Sequence, residues 1–160
     1  MTSKAYFSNL TILFYAMAGG QVIFAAVAFF LQSNGSMPQD DSLGNLMLMI
    51  VGALIISTQV GSRFVIGKRM QDVRKMPLVQ KTEQYRGVFI MRLALMEGPS
   101  LFAIVGYLIT GNIWLLVIGM AMLLFFLTYF PSPTKVSNEL ELESSERNIL
   151  ENPEATIQNV

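Results

Sequence analysis

Four apolar runs, each of about 20 residues, dominate this chain of 160 residues and leave few ways for it to fold. They cover approximately residues 10–31, 43–66, 87–110 and 113–130. A hydrocarbon layer roughly 30 Å thick is crossed by about 20 residues of α-helix, so each run is long enough to span it. No alternation of polar and apolar residues marks the strands of a membrane barrel. Backbone groups in lipid must then find their partners inside the segment, which leaves helices. Charged residues make up only 14% of the chain and hydrophobic ones 52%, where a soluble domain carries about a quarter charged. The expected fold is all-α: an integral membrane domain of four transmembrane helices over residues 1–131, followed by a polar segment over 132–160.

Charge sets the expected orientation. Lys68, Arg69, Arg74, Lys75, Lys81 and Arg86 lie between the second and third runs against only Asp72 and Glu83, whereas residues 32–42 hold Asp40 and Asp41 and no base. The excess of lysine and arginine places a basic loop, residues 67–86, in the cytoplasm together with both termini. The first run lacks a small-residue cleavage site and reads as a retained helix. A turn as short as Gly111 and Asn112 makes the last two helices an antiparallel hairpin. Beyond Pro131 the chain is rich in acids, from Glu139 and Glu141 to Glu151 and Glu154, and carries Pro133 and Pro153. That composition predicts a mobile cytoplasmic tail or at most one short surface helix, either a solvated end or a docking arm for a basic partner. The membrane expected for a chain without an organelle presequence is the inner or plasma membrane of a bacterium.

The chain has no cysteine and no histidine, so disulfides, thiol chemistry and the commonest metal ligand are excluded. Ser57, Ser62 and Ser100 have no histidine to activate them, and no phosphate-binding glycine loop precedes a lysine. No enzyme, cofactor, metal or nucleic-acid partner is expected. One residue stands out inside the runs: Glu97, the only acid in any of them. An ionisable group near the bilayer midplane costs roughly 2.5 to 3.5 kcal/mol on insertion scales and is a functional candidate by default. A carboxyl kept from water and able to reload is the part a proton carrier needs. Pro99 removes a backbone donor beside it and can bend the helix there. Ala16, Ala18, Gly19, Gly20, Ala25, Ala26 and Ala28 give the first helix a small-residue face for packing. Trp114 and Tyr129 are placed to anchor the last helix at the interfaces.

Residues 60–109 carry a pattern. Val60-Gly61-Ser62-Arg63-Phe64-Val65-Ile66-Gly67 ends one helix, Arg74-Lys75-Met76-Pro77 forms a polar connection, and Arg86-Gly87 opens a second helix that runs through Leu93-Ala94-Leu95-Met96-Glu97. In order and spacing this resembles the c subunit, or proteolipid, of rotary ATP synthases. The resemblance implies a helical hairpin in which Glu97 carries protons, Ser62 lies at its depth, and Gly52, Gly61 and Gly67 allow helices to approach. It also implies a homo-oligomer in membrane lipid, with a soluble or membrane protein partner at residues 67–86. The chain departs from the family in placing Arg63 and Phe64 where small residues are usual, in following the carboxyl with Gly98 and Pro99, and in having two additional helices. A proton, and not sodium, is the expected ion. Arg63 and Arg92 are the candidate charge partners. If either holds Glu97 as a static ion pair, the chain is a non-transporting accessory subunit; a small oligomeric transporter or channel is the third reading.

Overall fold

Helices account for the regular structure among the residues that the computed structural model describes, 1–37 and 41–158. They are α1 (Ser3–Ser33), α2 (Asp41–Arg74), α3 (Leu78–Thr110), α4 (Ile113–Leu127), α5 (Pro133–Glu139) and α6 (Ser144–Glu151). Asp40, half of the expected acidic outer loop, lies outside the described residues. By length and composition α1, α2 and α3 are able to cross a membrane. The expected fourth span is a shorter apolar helix: α4 has 15 residues, about 22 Å at 1.5 Å per residue. It starts at Asn112, whose side chain caps it by accepting from Trp114 N at 3.0 Å, and closes at Thr128.

The expected basic loop over 67–86 is mostly helix. α2 continues to Arg74 and α3 begins at Leu78, so residues 75–77 make the whole connection. Lysine, arginine, methionine and glutamine are good helix formers, and charge alone does not break a helix. Pro77 does, because proline disfavours the α conformation of the residue before it. Its carbonyl then accepts from Lys81 N at 2.8 Å to start α3.

The chain divides into two units. Unit 1 comprises Met1–Tyr15, Ser62–Arg92 and Phe130–Val160. The tail, expected to be mobile or one short helix, forms two helices here. Ser132 Oγ accepts from Lys135 N ahead of Pro133 at the start of α5, and the Glu146 carboxylate reaches back to Glu143 N at the start of α6. The tail also takes up the chain's first residues. Ser3 N and Lys4 N donate to Ala155 O and Pro153 O, Ile157 N donates to Met1 O, and Ser3 Oγ donates to Leu150 O. Val136, Leu140 and Leu150 are fully buried, with Tyr6, Leu10 and Phe89 in the same unit. The acids are paired with the chain's own bases. Arg92 Nη1 meets both carboxylate oxygens of Glu139 at 2.8 and 2.9 Å, and Tyr85 Oη donates to the same carboxylate at 3.1 Å. Arg74 pairs with Glu141 at 2.8 Å, and Lys81 with Glu146 at 2.7 Å. High acidity hid the apolar side of the tail, and its counter-ions lie far away in sequence.

Unit 2 comprises Ala16–Gly61 and Leu93–Tyr129. Its core gathers Ala25 and Ala28 of α1, Val51 of α2, Ala103, Ile104 and Tyr107 of α3, and Leu115 of α4. Gly111, with φ at 69°, lets α3 end and the chain reverse into α4 as an antiparallel hairpin. Ser100 Oγ donates across that hairpin to Gly119 O at 3.1 Å. On the other side Gln32 Nε2 donates to Leu108 O at 2.8 Å.

The ion pairs of unit 1 differ in depth, and that difference is testable. Lys81 and Glu146 keep only 9% and 13% of their side chains exposed. Glu146→Gln leaves a buried ammonium without its counter-ion and is expected to cost about 3–5 kcal/mol. Arg74 and Glu141 are 35% and 63% exposed, so Glu141→Gln should cost under about 1 kcal/mol. Thermal unfolding of the purified protein, with proteolysis of the tail as a second readout, separates the two.

Candidate functional site

Every lysine and arginine of this chain, all 11 of them, falls in unit 1. Unit 2 holds Glu97 and contains no base. Glu97 sits in α3, half-buried, and is followed by Gly98 and the buried Pro99 inside the same helix. Pro99 has no N–H, so the carbonyl of Leu95 loses the donor that an unbroken helix supplies. That puts a polar backbone oxygen within a turn of the carboxyl.

A second polar group of unit 2 was not singled out from sequence. Gln21 of α1 is 0% exposed, and neither its Nε2 nor its Oε1 has a hydrogen-bond partner. Burying an amide in this way costs about 1–3 kcal/mol on the scale of protein mutations. Its depth relative to Glu97 follows from the packing of α1 on α3. Ala28 shares the core with Ala103 and Ile104, and Gln32 bonds to Leu108 O, so the two helices run in the same direction. About three turns of helix separate Gln32 from Gln21, and the same three turns separate Leu108 from Glu97. Gln21 and Glu97 are therefore level on adjacent helices.

The same reasoning fixes which part of α2 faces this level. A methyl group built on Gly106 would stand 3.7 Å from Met47 Cβ, and Val51 shares the core with Ala103 and Ile104, so α2 runs opposite to α3. About two and a half turns separate Gly106 from Glu97, and as many separate Met47 from Ile56. The stretch opposite Glu97 is thus residues 56–58. Thr58 has turned its hydroxyl to its own helix, on Leu54 O at 2.8 Å and Ile55 O at 3.1 Å.

This arrangement corrects several expectations. Ser62, expected at the depth of Glu97, lies more than a turn farther along α2 and belongs to unit 1. Arg63 is exposed and also belongs to unit 1. Among the described residues the ion pairs are Arg74–Glu141, Lys81–Glu146, Arg92–Glu139 and Arg147–Glu151, and neither Arg63 nor Glu97 is in one. Arg92 turns to the tail. Within the chain, a methyl group on Gly52, Gly61 or Gly67 meets nothing within 4 Å, so these glycines bring none of its own helices together. Close approach occurs instead at Gly119, where such a methyl would lie 3.0 Å from Ile104 Cγ1 and 3.4 Å from Ser100 O, and at Gly106, 3.2 Å from Leu115 Cδ1.

What sequence could have shown is the stripe Leu10, Phe14, Ala18, Gln21, Ala25 and Ala28, spaced by three or four residues along α1. One amide interrupts it, inside an apolar run. A search limited to ionisable groups passes it by. Comparison with known protein families, with characterised proteins and with solved structures yields no match.

The glycine findings carry a contrast. Gly119→Ala forces the fully packed Ile104 to shift and is expected to destabilise by about 1–3 kcal/mol. Gly61→Ala points into open space and is expected to leave the unfolding midpoint unchanged or slightly higher. The midpoints of both variants, measured in the same detergent, check the pair together.

Proposed function

We propose that this chain is an integral membrane protein that carries protons on Glu97. The observation that supports this reading above the others is the absence of any lysine or arginine from unit 2. A static ion pair needs a cation beside the carboxyl, and Glu97 has none within its unit. An acid without a cation inside an apolar run gains from taking up a proton, and it can release that proton only to water or to a polar neighbour. The likeness of residues 60–109 to proteolipids points the same way.

The reading includes four crossings, with α4 as the fourth. Met1–Tyr15 and Phe130–Val160 belong to one unit, as do the end of α2 and the start of α3. A chain that leaves this unit along α3 must return to it by Phe130, and α4 is the only helix on that path. The bases cluster where α2 ends and α3 begins, so the positive-inside bias makes that end of the helices and both termini cytoplasmic. The inner or plasma membrane of a bacterium remains the assigned location.

Proton passage requires water from both sides, and four helices offer this most readily when copies associate in the lipid. α2 leaves Met49, Ile56 and Phe64 73%, 67% and 76% exposed, a face available to lipid or to another copy. A protein partner at residues 67–86 would meet Lys68, Arg69, Lys75 and Arg86, since Arg74 and Lys81 are engaged by the chain's own tail. The accessory-subunit reading draws on that same engagement, which leaves less of the basic surface for a rotor's partner.

Reconstitution into vesicles with a trapped pH-sensitive dye decides between them. Proton uptake driven by a potassium diffusion potential should appear with the parent protein and fall at least tenfold with Glu97→Gln. Undiminished flux in that variant sinks the carrier reading. No flux in the parent, together with failure of Glu97→Gln to fold, supports a structural role.

A further inference from the structure

The carrier reading leaves the amide of Gln21 unused, although this amide is among the most thoroughly buried polar side chains of unit 2. Both of its polar atoms lack partners at 0% exposure. Buried amides almost always have partners, so such a group calls for one that the chain can supply. Of the hydroxyls near this level, Ser100 is committed to Gly119 O across the hairpin and Thr58 to its own helix, while Ser57 is exposed. Glu97 stands level with Gln21 on the adjacent helix, half-buried and in no ion pair among the described residues.

We infer that Gln21 is the hydrogen-bond partner that positions Glu97, reached by a rotamer change of either side chain and kept in both protonation states of the carboxyl. An amide suits both, because it presents a donor and an acceptor side by side. When Glu97 is protonated, its O–H donates to Gln21 Oε1 while its carbonyl oxygen accepts from Gln21 Nε2, closing a pair of hydrogen bonds. When the proton has left, the carboxylate still accepts from Nε2–H. Gln21 neither takes nor gives a proton, so it is a positioning residue and not a carrier. Its role is to supply, without a cation, the polar contact that the carboxylate would otherwise have to obtain from water. This accords with a unit in which no base is present. The backbone carbonyl of Leu95, released by Pro99, cannot do the same for the ionised form, because it only accepts.

The inference rests on the reading of Glu97 as a proton-exchanging group, and infrared spectroscopy keeps the two apart. In the purified protein, the spectrum of the parent minus that of Glu97→Gln isolates the carboxylic C=O stretching band of neutral Glu97. Gln21→Leu, close in volume and apolar, should leave the fold intact and shift that band to higher wavenumber, as loss of hydrogen bonds to a carboxyl does. Gln21→Met serves as the second variant should leucine fail to pack, with circular dichroism and unfolding midpoint recorded for each. A band that stays in place in a folded Gln21 variant overturns the inference. If proton flux persists in the parent in that case, the carrier reading stands without it. If the parent shows no carboxylic band at any pH, Glu97 never takes up a proton, and both fall together.

Discussion

A full charge held in hydrocarbon without a counter-ion costs several kcal/mol, and this chain is arranged around that penalty. Its bases all stand in unit 1, and most of its acids stand there with them. Charge is then available for pairing where water can share the load. The apolar unit is left with one mid-helix acid and no cation. The chemistry open to Glu97 follows from that separation: it can be neutral, or it can be ionised with neutral donors around it. A fixed ion pair would require a base to come from outside the unit.

The two units accordingly use different polar chemistry. Unit 1 relies on carboxylates and guanidinium or ammonium groups, with Glu139 shared between Arg92 and Tyr85. Unit 2 relies on neutral side chains that bond to backbone oxygens. Ser100 reaches Gly119 O, Thr110 reaches Gly106 O, and Gln32 reaches Leu108 O. The bonds of Ser100 and Gln32 run between helices, where such bonds contribute roughly 0.6 to 2 kcal/mol each in a membrane. They also set helix register, and from that register Gln21 and Glu97 are seen to share a level. Gly119 and Gly106 serve this arrangement by letting α4 lie close to α3.

The long apolar helices were legible because a backbone in an apolar layer permits so few structures, and the runs that form α1 to α3 are long enough to cross a membrane. Their ends were less legible. The bases after Gly67 look like a loop when charge is taken as the sign of one, yet they are good helix formers and α2 simply continues to Arg74. The tail was misjudged for a similar reason: local acidity was visible, whereas Lys81, Arg74 and Arg92, which neutralise it, are distant in the chain. Glu97 could be found from its chemistry alone. Gln21 could not, because an uncharged amide in an apolar run becomes informative only when its burial and lack of partners are known. Gly52, Gly61 and Gly67 fit a family pattern, but which side of a helix meets a neighbour is decided by tertiary packing.

The hydrogen bonds that join Ser3, Lys4 and Met1 to residues 153–157 bear on how such a chain is made. A ribosome releases roughly 5–20 residues per second, so several seconds pass between the emergence of Arg92 and that of the acids that pair with it. During that interval Arg74, Lys81 and Arg92 lack the carboxylates that pair with them in the fold. In the orientation proposed above, they are then fully able to hold their side of the helices in the cytoplasm while insertion is being decided. Only afterwards do Glu141, Glu146 and Glu139 arrive and pair with Arg74, Lys81 and Arg92. The same residues thus serve first as a topological signal and later as half of a clasp, and the order of synthesis keeps the two uses from interfering.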